Sequence, residues 1–111
     1  MTAPELTSTL PPTTAARLKE IMGRLDDDGL RLALAESCTG GLVSAAFSGV
    51  EGLSHLLECG FVTYSDAAKR AVLGVPSSVL ERAGAVSRVC AVAMAEGALR
   101  RSRADLAVSV T

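Results

Sequence analysis

Nucleophilic side chains and glycines are concentrated in one short segment of the chain, residues 35–41. The segment holds two hydroxyls, a thiol and two glycines in succession, at Ser37, Cys38, Thr39, Gly40 and Gly41. Serine and cysteine form covalent intermediates in many hydrolases, and glycine lets a ligand approach the backbone closely. Because the segment joins a strand pattern to a helix pattern, its free amides would also favour a phosphate or a developing oxyanion.

The same residue types also have a plainer explanation. Serine, threonine and glycine commonly cap a strand-to-helix turn, and the segment matches neither a P-loop nor a GxGxxG fingerprint. If it carries a nucleophile, Ser37 is preferred and Cys38 is the alternative, since a helix N-terminus activates a thiol. Cys59 and Cys90 are interpreted as small buried hydrophobic residues.

A second group of reactive side chains follows the next strand pattern, where Tyr64 and Ser65 precede Lys69. Ligands of open α/β sheets bind beyond the carboxyl ends of the strands, so Tyr64 and Lys69 are expected in the same crevice as Ser37. A desolvated lysine can accept the proton of a serine hydroxyl, as in Ser-Lys hydrolases. The alternative is that Lys69 is a solvated helix residue, as most lysines are.

The overall composition narrows the possible functions. The chain has 111 residues, 49% of them hydrophobic, which is enough for one domain with its own core. A net charge of −1 and 3% aromatic residues argue against nucleic acid or an anionic membrane as partner. Three cysteines and one histidine argue against a disulfide scaffold and a zinc site. We find no targeting segment and no apolar run of membrane-spanning length, so we expect a cytoplasmic protein.

Hydrophobic periodicity predicts alternating helices and strands. Residues 1–12 hold three of the four prolines and are expected to form a flexible tail before a helix capped by Thr13 or Thr14. Strands are predicted over 30–34, 60–64 and 106–110, with a helix over 42–47. The alternation predicts an α/β fold, a three-layer sandwich with helices packed on a central, mixed sheet.

Three further helices are predicted from serine caps. The first begins after Ser65 and carries Lys69, the second is capped by Ser77 or Ser78, and the third follows Ser87 and spans 88–101. Its expected core-facing residues are Val89, Val92, Ala93 and Leu99.

A series of motifs in this order resembles the CinA C-terminal domain family. The motifs are AESCTGG at 35–41, GxS at 52–54, GFVTYS from 60 with Lys69, LGV at 73–75, GAVS at 84–87 and MAEG at 94–97. The resemblance extends over residues 18–111. It implies a nicotinamide-nucleotide amidohydrolase, which hydrolyses the carboxamide of nicotinamide mononucleotide to nicotinate mononucleotide and ammonia in pyridine-nucleotide recycling. It also implies a homodimer and no metal or organic cofactor.

The resemblance assigns roles to individual residues. Ser37 matches the nucleophile, Lys69 the group that takes its proton, and Tyr64 the residue that positions or polarises this pair. The amides of the turn would stabilise the oxyanion or bind the 5′-phosphate of the substrate, and both uses stay open. The substrate-binding residues implied are Cys38, Thr39, Gly40, Gly41 and Thr111.

The chain departs from the family pattern at one point. Thr111 matches the threonine of a Thr-Gly-x-Ala-Gly-Pro segment whose remainder lies beyond this sequence. We therefore expect residues 13–111 to form a CinA C-terminal-like domain lacking its last segment, of the type that stands alone. An alternative from another class is a non-catalytic nucleotide-binding or interaction module, or an inactive fragment.

Overall fold

A computed structural model describes residues 10–111, so most of the predicted flexible tail lies outside the described residues. Helix α1 spans Pro12–Asp27 and begins with a proline, whose fixed φ and missing N–H suit the first helical position. The predicted cap at Thr13 or Thr14 is wrong, because Pro11 occupies the N-cap position and both threonines lie in the first turn.

The remaining elements follow in chain order: β1 (Leu32–Glu36), α2 (Leu42–Ser48), a 3-10 turn (Ser54–Leu56), β2 (Leu57–Val62), α3 (Asp66–Leu73), α4 (Ser77–Ala83), α5 (Arg88–Arg100) and β3 (Leu106–Val110). The bounds predicted for β3 are confirmed. Strand β1 begins later than predicted because the amide of Leu30 still bonds to the carbonyl of Leu25 and that of Arg31 to the carboxylate of Asp105.

The three strands of the described chain form one sheet in the order β2-β1-β3, and both strand pairs are parallel. The prediction of a mixed sheet is therefore wrong for this part of the chain. Helices between successive strands return the chain to the same edge of the sheet, as parallel pairing requires. Strand β1 lies in the centre, and all five of its residues are buried, as expected for a parallel strand covered on both faces.

The three-layer α/β architecture is as predicted, with β1 buried on both faces and two hydrophobic clusters in the described part of the chain. One cluster joins α1 to the residues that follow α2 and to the 3-10 turn, and its buried members are Leu18, Met22, Val50 and Leu56. The other packs one face of the sheet against α3, α4 and α5, and its buried members are Ala33, Ala35, Leu73, Val75, Leu80, Cys90, Met94 and Ala98. Within residues 10–111, no helix is both long enough and apolar enough to cross a membrane.

Helix α5 buries a different face from the one predicted. Its buried residues are Cys90, Met94, Gly97 and Ala98, whereas Val89, Val92 and Leu99 are exposed. Ala93, the fourth expected residue, is partly buried against the core. The buried face also includes a small residue at the point where α5 meets α3. At Gly97 an added Cβ would lie 2.0 Å from the carbonyl oxygen of Leu73. Close approach of the helices, and not hydrophobicity alone, selects the buried face.

Candidate active site

Three hydroxyl residues lie side by side at the carboxyl edge of the sheet. Ser37 and Thr63 directly follow β1 and β2, and Thr111 follows β3. The hydrogen bonds of the sheet continue to this row. The Ser37 amide donates to the backbone carbonyl of Val110, and the Thr63 amide donates to the backbone carbonyl of Glu36, each at 2.9 Å. Residues in register on neighbouring parallel strands place their side chains on the same face. Ser37 is two residues after Ala35, which packs against α3 and α5, so the row lies on the sheet face that these helices cover.

Lys69 is joined directly to Ser37. Its Nζ lies 3.0 Å from Ser37 Oγ and 2.9 Å from the carbonyl oxygen of Tyr64. The Lys69 side chain is 1% exposed and Ser37 is 7% exposed. No carboxylate of residues 10–111 forms an ion pair with Lys69. The alternative of a solvated helix lysine is thus wrong, and the structure brings together the two residues that the sequence nominates as nucleophile and base.

Local sequence explains how Lys69 reaches the sheet. Ser65 caps α3 as predicted, since its Oγ accepts a hydrogen bond from the Ala68 amide at 3.0 Å. Gly74 ends the helix with a φ of 69°, a left-handed conformation that glycine adopts readily. The amide of Val75 then bonds back to the Lys69 carbonyl. Lys69 is therefore held from both ends of a short helix, with its side chain directed toward Ser37.

Glu36 is a site residue that sequence reasoning missed. Its buried carboxylate accepts hydrogen bonds from the amides of Val43 and Ser44, both at 2.9 Å, and from the hydroxyls of Thr39 at 2.7 Å and Ser44 at 2.5 Å. Burial alone would raise the pKa of the Glu36 carboxyl, but these hydrogen bonds outweigh it and hold the pKa below 4.5. The available signal was an acidic residue shortly before a helix N-terminus, where carboxylates are favoured.

The Glu36 carboxylate limits which amides near Ser37 are open to a ligand. It accepts from the amides of Val43 and Ser44 at the start of α2. In the turn, the Gly40 amide donates to the Ser37 carbonyl at 3.0 Å. Among residues 10–111, the amides of Cys38, Thr39 and Gly41 have no acceptor. The amide donors that stay open next to Ser37 are therefore those of the turn itself, and not those of α2.

Two further predicted site residues contribute in different ways. Tyr64 touches Lys69 through its backbone carbonyl, while its side chain is 73% exposed. The Thr111 hydroxyl donates to the Ala85 carbonyl at 2.9 Å, which joins the end of β3 to the loop before α5. Ser87 in that loop caps α5 as predicted, with its Oγ 3.1 Å from the Cys90 amide.

The cysteines differ in burial. Cys38 is exposed, Cys59 is partly buried and Cys90 is fully buried. Burial raises the pKa of the Cys90 thiol, and the smaller opposing effects of Lys69 and Thr111 do not cancel it. Cys90 is thus a neutral packing residue, as predicted. Among residues 10–111, no group of three His, Cys, Asp or Glu side chains is placed to hold a metal ion.

These features define a class of protein: a three-layer α/β sandwich with a buried serine-lysine pair at the carboxyl edge of a parallel sheet. The chain belongs to the CinA C-terminal domain family, whose family model matches residues 14–111. The resemblance noted from the motifs is thereby confirmed.

Individual relatives agree with this assignment. The chain is 50% identical over 102 residues to a CinA-like protein of Akkermansia muciniphila and 52% identical over 95 residues to a putative competence-damage inducible protein of Symbiobacterium thermophilum. These alignments cover 92% and 85% of this chain but only 25% and 22% of the relatives. The chain therefore spans about a quarter of the length of the curated relatives it matches.

Solved structures of the family share the fold. The crystal structure of competence/damage inducible protein CihA from Agrobacterium tumefaciens matches with a TM-score of 0.81 at 48% identity. That of a competence-damaged protein (CinA) superfamily protein from Escherichia coli matches with a TM-score of 0.82 at 41% identity. Each match covers 85% of this chain and 57% or 55% of the solved chain.

Proposed function

We propose that this chain carries the site of an amidohydrolase that converts nicotinamide mononucleotide to nicotinate mononucleotide and ammonia. The observation that carries the proposal is the 3.0 Å hydrogen bond between Lys69 Nζ and Ser37 Oγ, made where both side chains are almost sealed from solvent. A nucleophile and a base within hydrogen-bond reach are the signature of covalent catalysis. The choice of substrate rests on the family resemblance. A homodimer is proposed on the same basis.

The chemistry assigned to the pair proceeds in two halves. Ser37 Oγ attacks the carboxamide carbon while its proton passes to Lys69 Nζ, and Lys69 then donates that proton to the leaving nitrogen as the C–N bond breaks. Ammonia leaves, and the nicotinate acyl group stays on Ser37 as an ester. A water molecule next attacks the ester carbon and gives a proton to Lys69, which returns it to Ser37 Oγ as nicotinate mononucleotide departs.

The turn after Ser37 supplies donors for the negative charge that develops on the carbonyl oxygen. The amide that follows a nucleophile commonly forms part of the oxyanion hole, and the Cys38 amide has no acceptor among residues 10–111. We assign that amide to the oxyanion and the amides of Thr39 and Gly41 to the substrate phosphate. Tyr64 positions Lys69 through its carbonyl, and Thr111 lines the site beside Ser37.

Ammonia release from nicotinamide mononucleotide tests the proposal. The assay uses this chain and a version extended to the length of the solved relatives, each with the variants Ser37→Ala and Lys69→Met. Lys69→Met replaces a buried amino group by an apolar side chain of similar length, so the core stays filled. We expect both variants to lose turnover while Ser48→Ala, at an exposed position on α2, keeps it. Turnover that survives Ser37→Ala contradicts the mechanism.

A nucleotide-binding module without turnover is the second candidate. It is favoured by the open amides of Cys38, Thr39 and Gly41, which suit a phosphate whether or not Ser37 reacts. Calorimetric titration of the chain with nicotinamide mononucleotide separates the candidates. Binding without ammonia release supports the module, and turnover rejects it.

A further inference from the structure

The Thr63 hydroxyl is an unpaired polar group in the middle of the candidate active site. The residue is 0% exposed, and Thr63 Oγ1 is the buried side-chain oxygen or nitrogen of residues 10–111 that has no hydrogen-bond partner. Buried polar groups are almost always paired, so an orphan needs an explanation. No role for Thr63 follows from the serine-lysine chemistry described above.

The position of Thr63 limits what its partner can be. It is the register neighbour of Ser37 on the adjacent strand, about 4.8 Å away along the direction of the sheet hydrogen bonds, with its side chain on the same face. Ser37 retains slight exposure and Thr63 has none. A substrate that arrives from solvent therefore meets Ser37 first. A group inside the protein is therefore better placed than the arriving substrate to pair with the Thr63 hydroxyl.

Lys69 is such a group, and its hydrogen bonds are incomplete. Once Lys69 has taken the Ser37 proton, its ammonium carries three N–H donors, and Nζ has two acceptors among residues 10–111, Ser37 Oγ and the Tyr64 carbonyl. Because Lys69 is 1% exposed, solvent does not supply the third acceptor. Lys69 Nζ contacts Ser37, the register neighbour of Thr63, and the carbonyl of Tyr64, the residue that follows Thr63, so the amino group lies on the Thr63 side of the site.

We propose that Thr63 is a positioning residue for Lys69, whose hydroxyl accepts the third N–H of the ammonium formed when Ser37 gives up its proton. This inference rests on the proposed function. A hydrogen bond from an ammonium is stronger than one from a neutral amine, so the contact strengthens as the proton arrives. An interaction that is stronger in the transition state than in the ground state raises kcat and leaves substrate binding unchanged.

Thr63→Val and Thr63→Ser test the inference in the extended chain. Valine keeps the shape of threonine and removes the hydroxyl, while serine keeps the hydroxyl. We expect Thr63→Val to lower kcat by about tenfold to a hundredfold with KM unchanged, and Thr63→Ser to restore most of the rate. The urea midpoint of Thr63→Val should equal or exceed that of the wild type, because an unpaired buried hydroxyl has been removed.

Three results overturn the inference while the proposed function stands. One is a wild-type kcat in Thr63→Val. Another is a loss of rate that accompanies a lower urea midpoint and is not restored by serine, which is the behaviour of a purely structural residue. The third is a change in KM with kcat unchanged, which would place Thr63 in substrate binding and would equally reject the positioning role.

Labelling with a fluorophosphonate separates failure of the inference from failure of the proposed function. In that reaction Ser37 Oγ bonds to phosphorus, fluoride leaves, and the serine proton passes to Lys69. If the wild type is labelled at Ser37 but releases no ammonia from nicotinamide mononucleotide, the substrate is wrong and slower labelling of Thr63→Val still supports the inference. If the wild type is neither labelled nor active, the proposed function fails and the inference fails with it.

Discussion

Glu36 and Ser44 are joined by two hydrogen bonds, since the buried carboxylate accepts from both the amide and the hydroxyl of Ser44. A third bond, from the Val43 amide, completes the cap. These contacts attach the first turn of α2 to the last residue of β1. Ser37 directly follows that residue, so the geometry of the nucleophile depends on a carboxylate that points away from it, toward the opposite face of the sheet.

Replacement of Glu36 by glutamine should destabilise the protein in a pH-dependent way. Glutamine cannot accept from all the donors that the carboxylate holds, so we expect a loss of about 1–3 kcal/mol in the free energy of unfolding near neutral pH. The pKa of Glu36 is lowered on folding, so its stabilising effect is fully present above its ordinary value of 4.5 and is lost as the pH falls toward the folded value.

Urea unfolding from about pH 7 to about pH 3 measures this effect, and the gap between wild type and Glu36→Gln should narrow as the solution is acidified. Glu81→Gln, at an exposed position on α4, is the matched control and should unfold like the wild type throughout. A gap that stays constant across this range would show that the Glu36 charge is not what stabilises the cap.

Gly97→Ala should be among the most damaging single-methyl additions in the chain. The new Cβ would lie 2.0 Å from the carbonyl oxygen of Leu73, a backbone atom that cannot move without α3. We expect a loss of about 3 kcal/mol or more in thermal or urea unfolding, together with displacement of Lys69 from Ser37. Gly23→Ala in α1 is the control, because no atom lies within 4 Å of its added Cβ, and it should stabilise by about 0.5–1 kcal/mol.

The contribution of a serine cap to stability can be measured by comparing α3, which has a side-chain cap bond, with α4, which has none. Ser65→Ala removes the side-chain bond to the Ala68 amide at the start of α3 and should cost about 1 kcal/mol of stability. Ser77 begins α4 without a side-chain cap bond, so Ser77→Ala should change stability by less than about 0.5 kcal/mol. Urea midpoints of the two variants decide the matter, and equal losses would mean that the Ser65 bond contributes nothing.

Local chemistry made much of the fold predictable. Ser65 and Ser87 are predictable as caps because their side chains act on amides three residues away, within a sequence window. Ser77 and Ser78 carry the same signal, yet Pro76 takes the N-cap position of α4 instead. The buried face of α5 is not predictable from its own sequence. It depends on the close approach of Leu73 in α3, which no local pattern of α5 encodes.

The sequence also predicts part of the candidate site. Ser37 and Lys69 follow from residue type and from the rule that parallel strands gather their carboxyl ends at one edge of the sheet. Their 3.0 Å contact joins residues 32 positions apart and required the fold to be known. Glu36 offers a single local signal, an acidic residue before a helix N-terminus, and its role depends on contacts with α2 that only the fold supplies. Thr63 offers no local signal, because its place beside Ser37 depends on the pairing of β1 with β2.

The choice between Ser37 and Cys38 as nucleophile can be settled by thiol chemistry. Cys38 is exposed, whereas Lys69 Nζ contacts the Ser37 hydroxyl, so we expect Cys38→Ala to retain turnover that Ser37→Ala loses. In the folded wild type a thiol-disulfide reagent should modify Cys38 quickly. Cys90 should react only after unfolding, because burial both shields its thiol and raises its pKa. If Cys38→Ala is inactive while its urea midpoint matches the wild type and Ser37→Ala keeps turnover, Cys38 takes the nucleophile role and the Ser37–Lys69 contact must be reassigned to structure.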